Sequence, residues 1–303
     1  MPSPHTSNIN NTPSFSGSMV ALLTPMTLQG DLDFAAFAHL IEYQLAGGTR
    51  GLVPCGTTGE SATLSLDEHL AVMKHCVDTA KGRCPVIAGT GSNNTTEAIE
   101  LTQAAAAMGA DAALLITPYY NKPTKAGLLA HFQAIHDATS LPLFLYDVPS
   151  RTGLALPDDV ILSLANLPRM AGIKDATGDM GRILRLRARG LRENFVFLSG
   201  DDASALAFYA VGAVGSISVT ANVVPKGCAD VYTLAMQGHW DQARAIQQTL
   251  MPLHDALFYE TSPGPVKYAA SRLGLCDNVL RLPLVPVTDA TEKALNQAMI
   301  GLS

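Results

Sequence analysis

Cysteine is too sparse and too scattered in this chain to build a disulfide framework. There are five, Cys55, Cys76, Cys84, Cys228 and Cys276, an odd number without a repeating spacing. That pattern points to a reducing, cytoplasmic setting. Cys76 and Cys84 are eight residues apart across a helix end and read as core packing. Long hydrophobic runs are missing too. Runs such as Ala112–Ile116 fall far short of the roughly 20 residues that span a bilayer, so no membrane partner is expected. There is no basic block: Lys plus Arg is 20 against 26 for Asp plus Glu, a net charge of −6. A nucleic-acid partner is therefore disfavoured. The first 17 residues, Met1–Gly17, contain no Lys or Arg and no apolar stretch. They are expected to be a flexible tail and not a signal or transit peptide. His-Glu-x-x-His, Cys-x-x-Cys and His-x-His are all lacking, so neither a metal site nor a cofactor is expected.

What the sequence does have is apolar residues, 48% of the total against 15% charged, the composition of a folded, core-rich chain. Eight short runs rich in Val, Ile and Leu recur along it: Met19–Leu23, Gly51–Pro54, Val86–Gly89, Ala112–Ile116, Leu143–Tyr146, Met170–Lys174, Phe195–Ser199 and Val214–Ser218. They are continuous and not alternating, as parallel strands buried on both faces are. Longer stretches with helical spacing separate them, notably Leu66–Ala80 and Thr95–Met108, the second capped by Asn94 or Thr95. Eight regular strand-plus-helix units predict an α/β fold, a (β/α)8 barrel, in preference to an open doubly wound sheet. The expected divisions are a tail over 1–17, the barrel over 18–237 and a C-terminal helical region over 238–303. That last region reads as helices around His239–Tyr259, Pro263–Leu273 and Asp289–Leu302.

In such a barrel the chemistry belongs at the C-terminal ends of the strands, so each run is read at its exit. The second leads into Gly56-Thr57-Thr58-Gly59-Glu60-Ser61 and the fourth into Thr117-Pro118-Tyr119-Tyr120-Asn121. The fifth ends at Tyr146, before Asp147-Val148-Pro149-Ser150-Arg151-Thr152-Gly153, and the sixth ends in Ile173-Lys174-Asp175-Ala176-Thr177-Gly178. Lys174 closes an apolar run, where an amine is suited to attack a carbonyl and form a Schiff base; a snorkelling lysine is the plainer alternative. Tyr146 ends the adjacent run and can pass protons between the lysine adduct and a threonine hydroxyl. Thr57 and Thr58 sit in a glycine turn whose N–H groups suit a carboxylate. Asp201-Asp202 are expected to cap the following helix and not to bind a divalent cation. Gly89-Thr90-Gly91-Ser92-Asn93 is only loosely like a phosphate loop.

The Gly56–Glu60, Tyr146–Gly153 and Ile173–Gly178 segments together resemble the hallmarks of the pyruvate-dependent class I aldolase and lyase family, which includes N-acetylneuraminate lyases. Thr24-Pro25-Met26, Tyr119-Tyr120-Asn121, Ser199-Gly200-Asp201-Asp202 and Ser216–Asn222 extend the resemblance from about Ser16 to the C-terminus. It implies that Lys174 forms a Schiff base with pyruvate and that Thr57, Tyr146 and Tyr120 relay protons, Tyr120 from a neighbouring subunit. Thr58 is implied to hold the pyruvate carboxylate, and the carbonyl of Ile217 to lie near the nucleophile. Arg151 is implied to bind the carboxylate of L-aspartate 4-semialdehyde. A bidentate guanidinium suits that substrate, so a synthase making 4-hydroxy-tetrahydrodipicolinate, on the diaminopimelate route to lysine, is favoured. Cleavage of a 2-keto-3-deoxy sugar acid or of N-acetylneuraminate is the alternative. The family also implies a homotetramer built from dimers. Two departures carry no assigned chemistry: Asp147 stands where Asn is commoner and Asp175 where Glu is common. In lysine-inhibited members an effector site matches Ser61, Ala62, Leu66, His69, Asn93, Glu97 and Tyr119. Leu66 replaces a histidine there, so weak or absent lysine inhibition is expected.

Overall fold

The computed structural model describes residues 15–302. The tail expected over Met1–Gly17 lies mostly outside the described residues. Its last part does not: Phe15 sets its ring edge against Phe144, 5.1 Å between centroids, and Gly17 opens the first strand.

All eight apolar runs form strands: β1 (Gly17–Ala21), β2 (Leu52–Val53), β3 (Ile87–Gly89), β4 (Ala112–Ile116), β5 (Leu143–Asp147), β6 (Met170–Asp175), β7 (Val196–Ser199) and β8 (Gly215–Ser218). Every pairing is parallel, in the order β2-β1-β8-β7-β6-β5-β4-β3. A parallel bridge between Leu52 and Val86 joins β2 to the entry of β3 and closes the ring. The (β/α)8 expectation therefore holds. The helices are α1 (Phe34–Ala46), α2 (Leu66–Ala80), α3 (Thr95–Met108), α4 (Lys125–Asp137), α5 (Pro149–Thr152), α6 (Asp158–Leu164), α7 (Arg182–Ala188), α8 (Ala205–Ala210), α9 (Pro225–Met236), α10 (Trp240–Ala256), α11 (Gly264–Arg272) and α12 (Asp289–Ala298).

Local sequence explains their starts. Ser65 and Glu68 form a reciprocal capping box at α2, which satisfies two N–H groups that a helix start leaves without partners. Asn94 caps α3 through the N–H of Thr96, and Thr124 caps α4 through that of Gly127.

Side chains alternate across each strand, so two apolar layers result. Met19, Ala21, Val53, Ile87, Leu114, Phe144, Leu198 and Ile217 fill the barrel interior. The larger layer lies between sheet and helices, with Leu143, Leu145 and Ile173 among its members. Gly172 on β6 is one place where only glycine fits the interior. A Cβ there would meet the Val196 carbonyl oxygen at 2.4 Å and the Phe144 ring at 2.9 Å. α12 packs on both α10 and α11, and α10 packs on α8 and α9.

The capping role expected of Asp201-Asp202 needs correction. Asp201 does accept from the N–H of Ser204, just before α8. Buried Asp202 instead accepts from the N–H groups of Val219 and Thr220, each at 2.9 Å. Those two donors open the 3-10 turn Thr220–Asn222, so Asp202 ties the exits of β7 and β8 together.

Candidate active site

Alternation aims the inward side chain of each strand's last turn at the cavity above the barrel. On β5 and β6 those are Tyr146 and Lys174, directly paired in the parallel register. Lys174 is only 5% exposed, and its Nζ sits 4.2 Å from the Tyr146 ring centroid. The hydroxyl and the N–H of Thr117 both donate to the Tyr146 carbonyl, at 3.0 and 2.9 Å, which pins that strand end. Gly200 leaves room on the other side: a Cβ there would stand 3.2 Å from Lys174 Cε.

The glycine turn after β2 folds back on itself. The N–H groups of Gly59 and Ser61 donate to the Gly56 carbonyl, and that of Glu60 to the Thr57 carbonyl. Thr24 Oγ1 donates to the Gly59 carbonyl at 2.7 Å. Cys55 and Glu60 flank the turn at positive φ, 56° and 54°. Glu60 is held there by an ion pair: Lys267 Nζ of α11 lies 2.5 Å from Glu60 Oε1, both side chains 0% exposed. Its other oxygen accepts from the N–H of Arg281. Burial pulls the Lys267 ammonium below its ordinary range against the pull of Glu60.

A cavity of about 800 Å³ is lined by Thr57, Thr58, Tyr146, Ser150, Arg151, Lys174, Gly200, Asp201 and Val219, with Phe258–Ser262 at its mouth. Lys174, Tyr146, Thr57, Thr58 and Arg151 thus meet in one space, although Thr57 and Lys174 are 117 positions apart in the chain. Arg151 lies exposed on the rim, its Nη2 donating to the Ser262 carbonyl at 3.1 Å. Two expected members stand apart. Ile217 is buried on β8, and Val219 lines the cavity at that strand's exit. Tyr120 is 91% exposed, with φ of 67°, and lines neither this cavity nor its neighbour.

The neighbouring cavity, about 430 Å³, shares Thr57, Tyr146, Arg151, Thr261 and Ser262 with the first. Of the positions expected at an effector site, Ser61, Ala62, His69, Glu97 and Tyr119 line it; Leu66 and Asn93 do not. His69 Nε2 must carry a proton, because it lies 2.7 Å from the Gly89 carbonyl. Burial pulls its imidazole pKa down. Glu97 accepts from Ser92 Oγ at 2.6 Å.

Residue-by-residue reading passed over Lys267 and Arg182. Lys267 carried a signal, since it stands in the apolar stretch Pro265–Ala270. Arg182 follows a polar loop and carried none. Among the described residues no cluster of three or more His, Cys, Asp or Glu side chains suits a metal ion. No helix there is long and apolar enough to cross a membrane.

A barrel that buries one lysine amine against a phenol, beside a hydroxyl-bearing turn and a rim arginine, has the layout of a class I, Schiff-base-forming carbon–carbon lyase or synthase. The comparisons narrow that class. The profile of the dihydrodipicolinate synthetase family matches residues 14–300, and the chain belongs to that family. It is 53% identical over 286 residues to the 4-hydroxy-tetrahydrodipicolinate synthase of Rhodospirillum centenum, covering 94% of this chain and 98% of that one. A chloride-inhibited dihydrodipicolinate synthase from Acinetobacter baumannii, solved with pyruvate, superposes with a TM-score of 0.92. It is 45% identical and covers 95% of this chain and 99% of that one. The enzyme from Cyanidioschyzon merolae, solved with lysine bound, gives a TM-score of 0.92 at 36% identity, covering 95% and 98%.

Proposed function

We propose that the chain condenses pyruvate with L-aspartate 4-semialdehyde to 4-hydroxy-tetrahydrodipicolinate through a Schiff base on Lys174. The single observation that carries this reading is the meeting of Lys174, Tyr146, Thr57, Thr58 and Arg151 in one cavity. The names of relatives at about 50% identity side with it and not with the sugar-acid alternative.

In this reading the free amine of Lys174 attacks C2 of pyruvate, and the carbinolamine expels water to give the imine. Thr58 and the turn hold the pyruvate carboxylate. The turn's own hydrogen bonds use the N–H groups of Gly59, Glu60 and Ser61, and those of Thr57 and Thr58 suit the anion. Tyr146 and Thr57 move the protons that carbinolamine formation and loss of water require, joined by Tyr120 from a second copy. Loss of a methyl proton makes the enamine, whose carbon attacks the aldehyde carbon of the semialdehyde. The substrate amine then attacks the imine carbon, closes the ring and releases Lys174 as a free amine. Arg151 binds the semialdehyde carboxylate at the rim, and the Ile217 carbonyl faces the nucleophile from β8. The neighbouring cavity is proposed as a weak lysine site. The chain is proposed to work in the cytoplasm as a homotetramer, with 18–237 as the catalytic barrel and 238–303 as its helical appendage.

The deciding assay supplies pyruvate with either aspartate semialdehyde or an N-acetylated amino sugar. Turnover of the semialdehyde alone is expected. Turnover of the sugar alone overturns the substrate assignment.

A further inference from the structure

The residue after Tyr146 and the residue after Lys174 are both aspartates, and the register pairs them as it pairs the catalytic residues: Tyr146 with Lys174, Asp147 with Asp175. Alternation turns Tyr146 and Lys174 into the barrel and Asp147 and Asp175 out toward the helices. One guanidinium bridges the two carboxylates. Arg182, first residue of α7, donates from Nη1 to Asp147 Oδ2 at 2.7 Å and to Asp175 Oδ2 at 3.2 Å. Its Nε donates to Asp158 Oδ1 at 3.3 Å, and its Nη2 donates to the Leu156 carbonyl. Asp147 and Asp175 are 0% exposed and Arg182 is 4% exposed. The rest of the cluster is satisfied as well. Asp175 Oδ1 accepts from the N–H and hydroxyl of Thr177, and Asp147 accepts from the N–H of Leu156.

The bridge lies where the sheet lets go. Asp147 with Asp175 is the last pair of the β5–β6 ladder, and one more bond, from the Ala176 N–H to the Asp147 carbonyl, ends it. Beyond it β5 runs into α5, which bears Arg151, and β6 into the loop toward α7. Fraying at this point would first move Tyr146 and Lys174. A buried ion network is also a poor stabiliser, since apolar side chains of similar volume hold a fold as well or better. Its better-attested use is to fix one register among alternatives.

We propose that Arg182 is a positioning residue: by bridging Asp147 and Asp175 it locks β5 against β6 so that the Tyr146 phenol and the Lys174 amine meet the same substrate atom. The proposal rests on the assignment of Lys174 as the Schiff-base residue. Lysine cannot replace Arg182 here, because its single nitrogen cannot bridge Asp147 and Asp175 as Nη1 does and also reach the Asp158 carboxylate and the Leu156 carbonyl, which Nε and Nη2 of the planar fork engage.

The test is a time course of borohydride trapping of pyruvate on the full-length chain, in wild type, Arg182→Lys and Arg182→Met. The amplitude counts competent sites, and the rate constant per site reads their geometry. A merely structural role lowers the amplitude or the melting temperature and leaves the rate constant alone. The expected result is a rate constant about 10- to 100-fold lower in both variants, the scale of a misplacement of about 1 Å. A wild-type rate constant in either folded variant overturns the proposal. Should Arg182→Met fail to fold, Arg182→Lys, which keeps the charge, makes the same comparison. Lys174→Ala separates the proposal from its premise. Trapping that persists there overturns the lysine assignment. No trapping there, with wild-type rates in the Arg182 variants, overturns the clamp alone.

Discussion

Arg151 sits on the rim, anchored by the Ser262 carbonyl and open to solvent on its other side. That placement suits a carboxylate arriving after pyruvate is already bound. Arg151→Ala should therefore spare trapping of pyruvate and lower kcat/KM for the semialdehyde. Loss of a charge-assisted contact is worth about 1.5–3 kcal/mol, roughly 10- to 150-fold. Unchanged steady-state constants for the semialdehyde would make Arg151 structural. Leu66 carries a second prediction at this scale. It is an exposed residue of α2 outside the smaller cavity, and it offers no side-chain hydrogen bond. Losing one such bond weakens lysine about 2- to 12-fold, which leaves Glu97 and His69 in place. A lysine titration of the initial rate should give half-inhibition at millimolar concentrations or above; half-inhibition well below that would show Leu66 to be irrelevant.

Elements position these side chains through contacts that are remote in sequence. The turn bearing Thr57 and Thr58 is tied to α11 by Glu60 and Lys267, 207 residues apart. Lys267→Met strands a buried carboxylate and should cost about 3–5 kcal/mol. The double variant Glu60→Gln, Lys267→Met should recover much of that loss in urea unfolding; additive losses would show that the two do not act as a pair. A second effect lies between α3 and α4. His131 is buried there, with Nδ1 2.9 Å from Thr95 Oγ1, and burial pushes its imidazole down to about 4 from 6.5. Between those values the unfolded chain binds the proton and the folded chain does not. Stability from this group is therefore complete above the unfolded pKa and falls as pH drops toward 4, by on the order of 3 kcal/mol. His131→Gln, neutral at every pH, should lose less stability than wild type between pH 7.5 and 4.5; equal losses would place the acid sensitivity elsewhere. These long-range contacts were the part of the molecule that one-dimensional reading missed. The strands were legible because parallel strands buried on both faces must be continuously apolar, and α2 and α3 because their caps and spacing agree. The meeting of Lys174, Tyr146 and Thr57 at one cavity was legible because each sits at a strand exit. Nothing near Glu60 or Arg182 in sequence announces a partner, since an ion pair closed by tertiary folding leaves no local period. Asp202 misled for the same reason: a helix follows it, but the donors it satisfies belong to β8's exit.

At the scale of the whole molecule, the barrel acts as a closed frame that brings side chains from β5, β6 and the turn after β2 to one mouth. The C-terminal helices add to that mouth through Phe258–Ser262 and brace the turn through Lys267. Tyr120, exposed at positive φ, belongs to the proposed contact between copies, and its contribution disappears if the chain works alone. The central claim is a covalent one, and intact-mass analysis tests it most directly. Wild-type protein treated with pyruvate and borohydride should gain one reduced pyruvate per chain, mapped to the peptide carrying Lys174, and Lys174→Ala and Lys174→Arg should gain none while keeping a native circular dichroism spectrum. Stoichiometric labelling of a folded Lys174→Ala, or a wild-type adduct on any other lysine, would contradict the account.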